Sequence, residues 1–230
     1  MLHGNAQAPA IRRETDMPPF VPDLPTLAAF ALASIVLAIT PGPDMTLFLS
    51  RTLSQGRAAG FACMSGAYAG IAIHTSMVAL GLSALIVAAP VAFSALKVVG
   101  AAYLVWLAVD AIRNGSSLTF RDEARRAPRL SASFLTGIGI NLLNPKIILF
   151  FMTFLPQFVA AGDPHATGKF FFLGATFVVI GVPITSAIVL AAGWMASLLR
   201  TKPIVTRVLD WLMAGVFGAF AVRILTAHSR

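Results

Sequence analysis

The 230-residue chain has few charged side chains for its length. Aspartate, glutamate, lysine and arginine make up 11% of it, whereas 57% is apolar, and the mean hydropathy is +0.83. Average soluble domains carry roughly a quarter charged residues. This composition excludes an ordinary soluble domain and a large extramembrane catalytic domain, and it predicts a multi-pass membrane protein.

Cysteine, metal-binding clusters and phosphate-binding motifs are also scarce. One cysteine and four histidines without ligand spacing predict no internal disulfide, no metal site and no cofactor. The absence of G-x-x-x-x-G-K-[ST] argues against ATP-driven transport by this chain alone. The formal net charge of +8 is explained by membrane topology, and no nucleic-acid partner is expected.

Uncharged runs divide the chain into six predicted transmembrane helices, because one span needs about 20 residues. A proline-rich extension (1–26) precedes them, and Thr26 is the predicted N-cap of the first helix. An arginine-rich loop (113–130) separates a first three-helix half (27–112) from a second (131–230). The predicted helices lie at about 27–50, 58–88, 91–112, 131–160, 170–199 and 208–227.

Lysine and arginine are distributed unevenly between the two sides of the predicted bundle. The turns after the first, third and fifth helices carry ten of them, against six on the opposite side. Short loops rich in basic residues stay in the cytoplasm. Both termini are therefore expected on the periplasmic side of a bacterial inner membrane.

Prolines interrupt the first and fourth predicted helices at an offset of 102 residues. Proline removes a backbone donor, and unsatisfied backbone groups in a bilayer cost several kcal/mol each, so each break is expected to line a cavity. Three helices per half is an odd number, so the second half enters from the opposite side. This predicts an inverted repeat with a transport site at the paired breaks. The residues of the two breaks are Thr40, Pro41, Gly42, Pro43 and Asp44, and Asn141, Asn144, Pro145 and Lys146.

Asp44 and Lys146 are the principal candidates for this site, because a charge within a bilayer is costly and functional by default. Asp44 could bind a substrate ammonium or the coupling proton, and a helix cap is its structural alternative. Lys146 could bind a substrate carboxylate, together with the positive end of the helix that follows Pro145, or pair with Asp44. A side chain that snorkels towards the membrane surface is its structural alternative. Straight helices would leave the two charges about 18 Å apart in depth, and separate gates are the alternative to a direct salt bridge.

Several polar and small residues complete the candidate set. The amides of Asn141 and Asn144 could line the site, and Thr40 could contact substrate or satisfy freed backbone groups. Gly66 and Gly70 form a GxxxG pattern that predicts close helix packing. His74 is a packing residue or a proton relay.

Four motifs in this order resemble the lysine-exporter superfamily of the LysE/RhtB type over about residues 26–227. They are TPGPD at 40–44, Gly66-xxx-Gly70 followed by Gly81-Leu82, Gly100-Ala-Ala-Tyr103-Leu104 and Asn144-Pro145-Lys146. The resemblance implies an inner-membrane exporter of amino acids or related small metabolites, driven by the proton-motive force.

The combined prediction is a secondary transporter and not an enzyme, because no nucleophile and base occur in a recognisable pattern. Its expected partners are an amino-acid substrate, protons and membrane lipid, and a homodimer remains open. In the predicted cycle, protonation of Asp44 from outside releases the substrate. A passive channel and an exporter of another substrate class are the alternatives.

Overall fold

The structure, a computed structural model, describes residues 18–89 and 129–227 together with isolated positions between 91 and 113. Within that part of the chain every regular element is helical, which confirms the all-helical prediction. The N-terminal extension before residue 18, half of the predicted third helix and most of the arginine-rich loop lie outside the described residues. The α-helices that begin and end within the described residues are α1 (Leu24–Ile39), α2 (Pro43–Gln55), α3 (Arg57–Ala88), α4 (Leu130–Leu143), α5 (Pro145–Leu149), α6 (Ala166–Leu190), α7 (Ala192–Thr201) and α8 (Pro203–Ala227).

Three of these helices are long and apolar enough to cross a membrane: α3, α6 and α8. Two further candidate spans are bent pairs, in which α1 meets α2 at 47° and α4 meets the helical segment 145–158 at 54°. The described residues therefore contain between three and five candidate spans.

The first helix begins three residues before the predicted Thr26 boundary. Asp23 is the N-cap, and its carboxylate accepts a 3.1 Å hydrogen bond from the backbone N–H of Thr26. Pro25 lies in the first turn, where the backbone N–H has no helical acceptor in any case. The prediction of Thr26 as the N-cap is wrong, because Asp23 occupies that position.

The long helix α3 packs mainly against α4 and α6. Its contact with α4 is close, because a Cβ atom added at Gly66 would lie 1.9 Å from the carbonyl oxygen of Phe134. On the facing helix, a Cβ at Gly137 would lie 2.1 Å from the carbonyl oxygen of Cys63. Glycine at both positions lets the two backbones touch.

Beyond α5 the chain does not continue as a regular α-helix. Residues Phe150–Phe154 form a π-helical turn and Leu155–Phe158 a 3₁₀ turn. Phe150, Phe151 and Phe154 are fully buried and Phe158 is partly buried, and the rings pack on one another, with the centroids of Phe150 and Phe154 4.9 Å apart. This aromatic core holds the second broken helix against α1 and α6, where it contacts Phe30 and Phe177.

The predicted fifth segment, 170–199, is two helices. Pro183 lies inside α6 without ending it, and α6 stops at Leu190. After Ala191 the chain continues as α7.

Candidate functional site

The first break frees carbonyl oxygens at the end of α1, among them those of Leu37 and Thr40. In an uninterrupted helix the carbonyl of Leu37 would accept from the N–H of residue 41, but Pro41 has none. Thr40 is the C-cap and leaves the helix with an extended backbone (ψ 127°). The carbonyl of Thr40 therefore points away from the helical hydrogen bonds of α1. The carbonyl oxygens of Leu37 and Thr40 both need donors from outside the helix.

Lys146, from the second break, supplies those donors. Its Nζ donates to the carbonyl of Thr40 over 2.7 Å and to that of Leu37 over 3.1 Å. The ammonium thus lies at the C-terminal end of α1, where the helix dipole is negative. A side chain of the second broken helix thus donates the hydrogen bonds that the backbone of the first broken helix lacks.

Asp44 is tied to the second broken helix in a similar way. It lies in the first turn of α2, and its Oδ2 accepts a 2.8 Å hydrogen bond from Nδ2 of Asn141, in the last turn of α4. Gly42 occupies the N-cap position of α2, so Asp44 does not cap the helix. Its other oxygen, Oδ1, is buried and has no hydrogen-bond partner among the described residues.

Asn144 and Thr40 mainly serve the backbone around the breaks. The side chain of Asn144 caps α5 by accepting from the N–H of Lys146 over 3.1 Å. The hydroxyl of Thr40 donates to the carbonyl of Val36 over 2.6 Å. Asn144 also has a buried Nδ2 that lacks a partner within the described part of the chain.

The two breaks enclose one cavity with a polar wall and an apolar wall. Thr40, Gly42, Asp44, Asn141 and Lys146 form the polar wall. The apolar side chains of the lining, here called the apolar wall, come from α1, α2, α3, α5 and α6, and they include Leu37, Ile71, Ile147, Phe177 and Ile188. Tyr68 also lines the cavity, and its hydroxyl lies 3.0 Å from that of Thr185 on α6.

Asp44 and Lys146 share this cavity without forming an ion pair. Of the residues that the structure describes, Lys169 and Asp163 form a salt bridge, whereas no nitrogen–oxygen distance between Asp44 and Lys146 falls within 4 Å. The expectation of charges far apart in depth assumed straight helices. Because the two helix pairs are bent by 47° and 54°, both residues instead line the same cavity.

The remaining sequence candidates surround this cavity. Gly70 faces Asn141, since a Cβ atom there would lie 2.5 Å from the amide oxygen. His74 is buried and its ring stacks on Phe151 with centroids 5.8 Å apart. Its Nε2 has no hydrogen-bond partner among the described residues.

Two features of the site were not found from sequence. Asp210 of α8 is only 2% exposed and interacts electrostatically with Lys146, yet in sequence it looks like a charge flanking the last apolar run. The apolar wall was not predictable either, because 57% of the chain is apolar and nothing local distinguishes the residues that line the cavity. The only available signal for Asp210 was its position seven residues inside α8.

No group of three or more histidine, cysteine, aspartate or glutamate residues in the described ranges could hold a metal ion. The site instead consists of two broken helices, the carboxylate of Asp44, the ammonium of Lys146 and an apolar wall, with the carboxylate of Asp210 near enough to interact with Lys146. Interrupted membrane helices that meet around charged groups are typical of membrane transporters.

Comparison with known proteins identifies the family within that class. Residues 35–228 match the model of the LysE type translocator family, so the chain belongs to this family, and the resemblance seen in the sequence is confirmed. It is a transporter and not an enzyme.

Relatives of similar length align with nearly the whole chain. A leucine efflux protein of Salmonella typhimurium (strain LT2) is 26% identical over 200 residues, which cover 87% of this chain and 94% of that protein. A protein of Vibrio cholerae described as an uncharacterized membrane protein is 29% identical over 207 residues, which cover 90% of this chain and all of that protein. No solved structure matches the chain.

Proposed function

We propose that this protein exports amino acids with aliphatic side chains from the cytoplasm in exchange for protons. The observation that carries the proposal is the shared cavity, in which a carboxylate with a free oxygen and a lysine ammonium face an apolar wall. A zwitterionic amino acid has the complementary groups.

The polar wall suits the two charges of the substrate backbone. The buried Oδ1 of Asp44 needs a donor, and a substrate ammonium would supply one, because leaving a buried charged acceptor unpaired is costly. Lys146 has three N–H groups and uses two on the α1 carbonyls. The third could bind the substrate carboxylate.

The apolar wall suits an aliphatic side chain. Leu37, Ile71, Ile147 and Ile188 offer branched aliphatic surface, and Phe177 adds one aromatic ring. A charged substrate side chain would find no counter-charge on this wall and would lose its hydration there. The name of the Salmonella relative, a leucine efflux protein, agrees with this preference.

Proton exchange is proposed because the carboxylate of Asp44 can bind either a substrate ammonium or a proton. A substrate ammonium and a proton compete for Asp44, so protonation from the outside would release the substrate. Binding at one site drives exchange only if the two access states differ in affinity. Asn141 would hold the carboxylate in place during both steps through its 2.8 Å hydrogen bond.

The proposed membrane arrangement is six spans in two inverted halves, with both termini on the periplasmic side of a bacterial inner membrane. The paired bends in α1–α2 and α4–α5 and the distribution of basic residues support it. Membrane lipid surrounds the bundle in this arrangement. A homodimer is compatible with it.

Efflux from proteoliposomes tests the proposal. Vesicles loaded with labelled leucine, lysine or glutamate are diluted into buffer of equal or lower pH, with protein-free vesicles and a protonophore as controls. We expect leucine efflux to accelerate when the outside is acidic and the other two solutes to be retained. A leucine efflux rate that does not depend on the pH gradient would indicate a channel. Export of lysine or glutamate alone would overturn the proposed substrate class.

A further inference from the structure

The C-terminal end of α1 presents two carbonyl oxygens to a single point. The oxygen of Leu37 is free because Pro41 cannot donate to it, and that of Thr40 is free because the chain leaves the helix there. Carbonyl oxygens at interrupted helix ends are the groups with which transporters coordinate small cations. The negative end of the helix dipole favours positive charge at the same point.

This point is occupied by the ammonium of Lys146, 2.7 Å from one oxygen and 3.1 Å from the other. The carboxylates of Asp44 and Asp210 are near enough to interact with its charge. Two neutral oxygens, a helix end and two carboxylates form the surroundings expected for a cation. The ammonium of Lys146 occupies this position, so the cation is part of the protein itself.

The neighbouring backbone leaves room for this arrangement. The lysine side chain passes Gly42, where an added Cβ atom would lie 3.3 Å from Nζ and 3.4 Å from Cε. The backbone of Gly42 is extended (φ −174°), so its conformation does not demand glycine. Space for the lysine side chain is the remaining reason for a residue without Cβ.

We propose that the end of α1 is a binding site for a small monovalent cation and that Lys146 permanently fills it. The tethered ammonium takes the place that Na⁺ would have in a sodium-coupled transporter. It follows that this protein does not need Na⁺, and that shortening Lys146 opens a site for Na⁺ or a small primary ammonium ion. The proposal does not depend on which solute is exported.

The test measures thermal unfolding of purified protein in detergent, without any transported solute. The parent and Lys146→Ala are melted in choline chloride, sodium chloride or methylammonium chloride at equal ionic strength. Choline is too large for the site, so it serves as the reference cation. Lys169→Ala is the matched control, since it removes a lysine paired with Asp163 outside the cavity.

We expect the melting temperature of the parent to be independent of the salt, and that of Lys169→Ala to be independent of it as well. Lys146→Ala should melt lower in choline and regain stability saturably in methylammonium or Na⁺, by roughly 5 °C once the cation exceeds its dissociation constant about 100-fold. If Lys146→Ala is monodisperse only when methylammonium or Na⁺ is present, the proposal is also supported. Lys146→Met, whose apolar side chain fills the same space, should show no such recovery.

Three results would overturn the proposal. The first is a parent whose stability rises with Na⁺ or methylammonium over choline, because the site would then be open despite Lys146. The second is a Lys146→Ala protein that responds identically to all three cations, including one that fails to fold in each. The third is an equal cation response in Lys169→Ala.

Discussion

Asn141 and Asp44, 97 positions apart in sequence, are joined by a 2.8 Å hydrogen bond between Nδ2 and Oδ2. The bond connects the last turn of α4 to the first turn of α2. Lys146 makes the reverse connection, from α5 to the end of α1. Each broken helix therefore satisfies a polar group of the other, and the cavity lies between these two connections.

Replacing Asn141 with leucine should impair export more than it impairs folding. The change removes the donor to Asp44, and a hydrogen bond to a charged group contributes about 1.5–3 kcal/mol, so the apparent KM for leucine should rise roughly tenfold or more. Leucine efflux from proteoliposomes measures it. Gly139→Ala on the same helix is the control, because a Cβ there meets no atom within 4 Å. An unchanged KM in Asn141→Leu would contradict this role.

Gly70→Ala should destabilise the protein, whereas Gly81→Ala on the same helix should not. A Cβ at position 70 would lie 2.5 Å from Oδ1 of Asn141, and one at position 81 meets nothing within 4 Å. Overpacking typically costs about 1–3 kcal/mol. Melting temperatures in detergent compare the two variants. Equal values would mean that the close contact between α3 and α4 is not required.

Phe177→Leu should shift substrate preference towards larger side chains. Phe177 lines the apolar wall, and the smaller leucine would enlarge the cavity, so phenylalanine export should rise relative to leucine export. Competition between the two amino acids in efflux assays measures the ratio. Phe171→Leu, at an exposed position of the same helix, should leave the ratio at the parent value. A ratio that moves equally in both variants would remove Phe177 from the substrate wall.

The position of the two breaks was predictable, because proline and glycine act through the local backbone. Thr40-Pro41-Gly42 and Asn144-Pro145 interrupt otherwise apolar runs, and α1 and α4 end within one residue of them. The link between Asp44 and Asn141 could not be predicted. It depends on two bend angles that are set by packing across the bundle.

Tertiary packing also accounts for the other features that the sequence concealed. The π-helical turn at Phe150–Phe154 has no local signal and accompanies the burial of its rings against α1 and α6. In the sequence, Asp210 resembles a charge at the end of a membrane helix. In the fold it is near enough to Lys146 to interact with it. The sequence pattern therefore predicted which helices are broken but not which side chains meet.

The loop before α6 should make a pH-dependent contribution to stability. Burial alone would raise the pKa of Asp163, but hydrogen bonds from Lys169 and from the backbone N–H of His165 outweigh it and hold that pKa below its usual value. A lowered carboxylate pKa stabilises the folded state above the unfolded pKa of about 3.9, and the effect is lost as pH falls through the lowered value.

Lys169→Met removes the main partner of Asp163 and should therefore lower the melting temperature slightly at pH 7. The loss should be small because the pair is near the surface. The difference from the parent should shrink as the pH falls from about 4 through the lowered pKa of Asp163, where the parent's carboxylate becomes protonated. Melting curves from neutral to acidic pH measure it. A difference that is constant across that range would show that the ion pair is not its cause.

The most direct test of the central claim is gradient-driven leucine export by Asp44→Asn. Asparagine keeps the shape of the side chain but cannot bind a proton or attract an ammonium ion, so the proposed cycle loses both of its steps. Asp163→Asn is the control, since that carboxylate lies outside the cavity. Both proteins are reconstituted at equal density, and leucine efflux is measured with and without an acidic exterior.

We expect Asp44→Asn to lose at least about 30-fold of the gradient-driven rate, as when one partner of a buried charged interaction is removed. Asp163→Asn should keep the parent rate. Export by Asp44→Asn at the parent rate, with the same response to the pH gradient, would contradict the assignment of Asp44 as the site shared by substrate and proton.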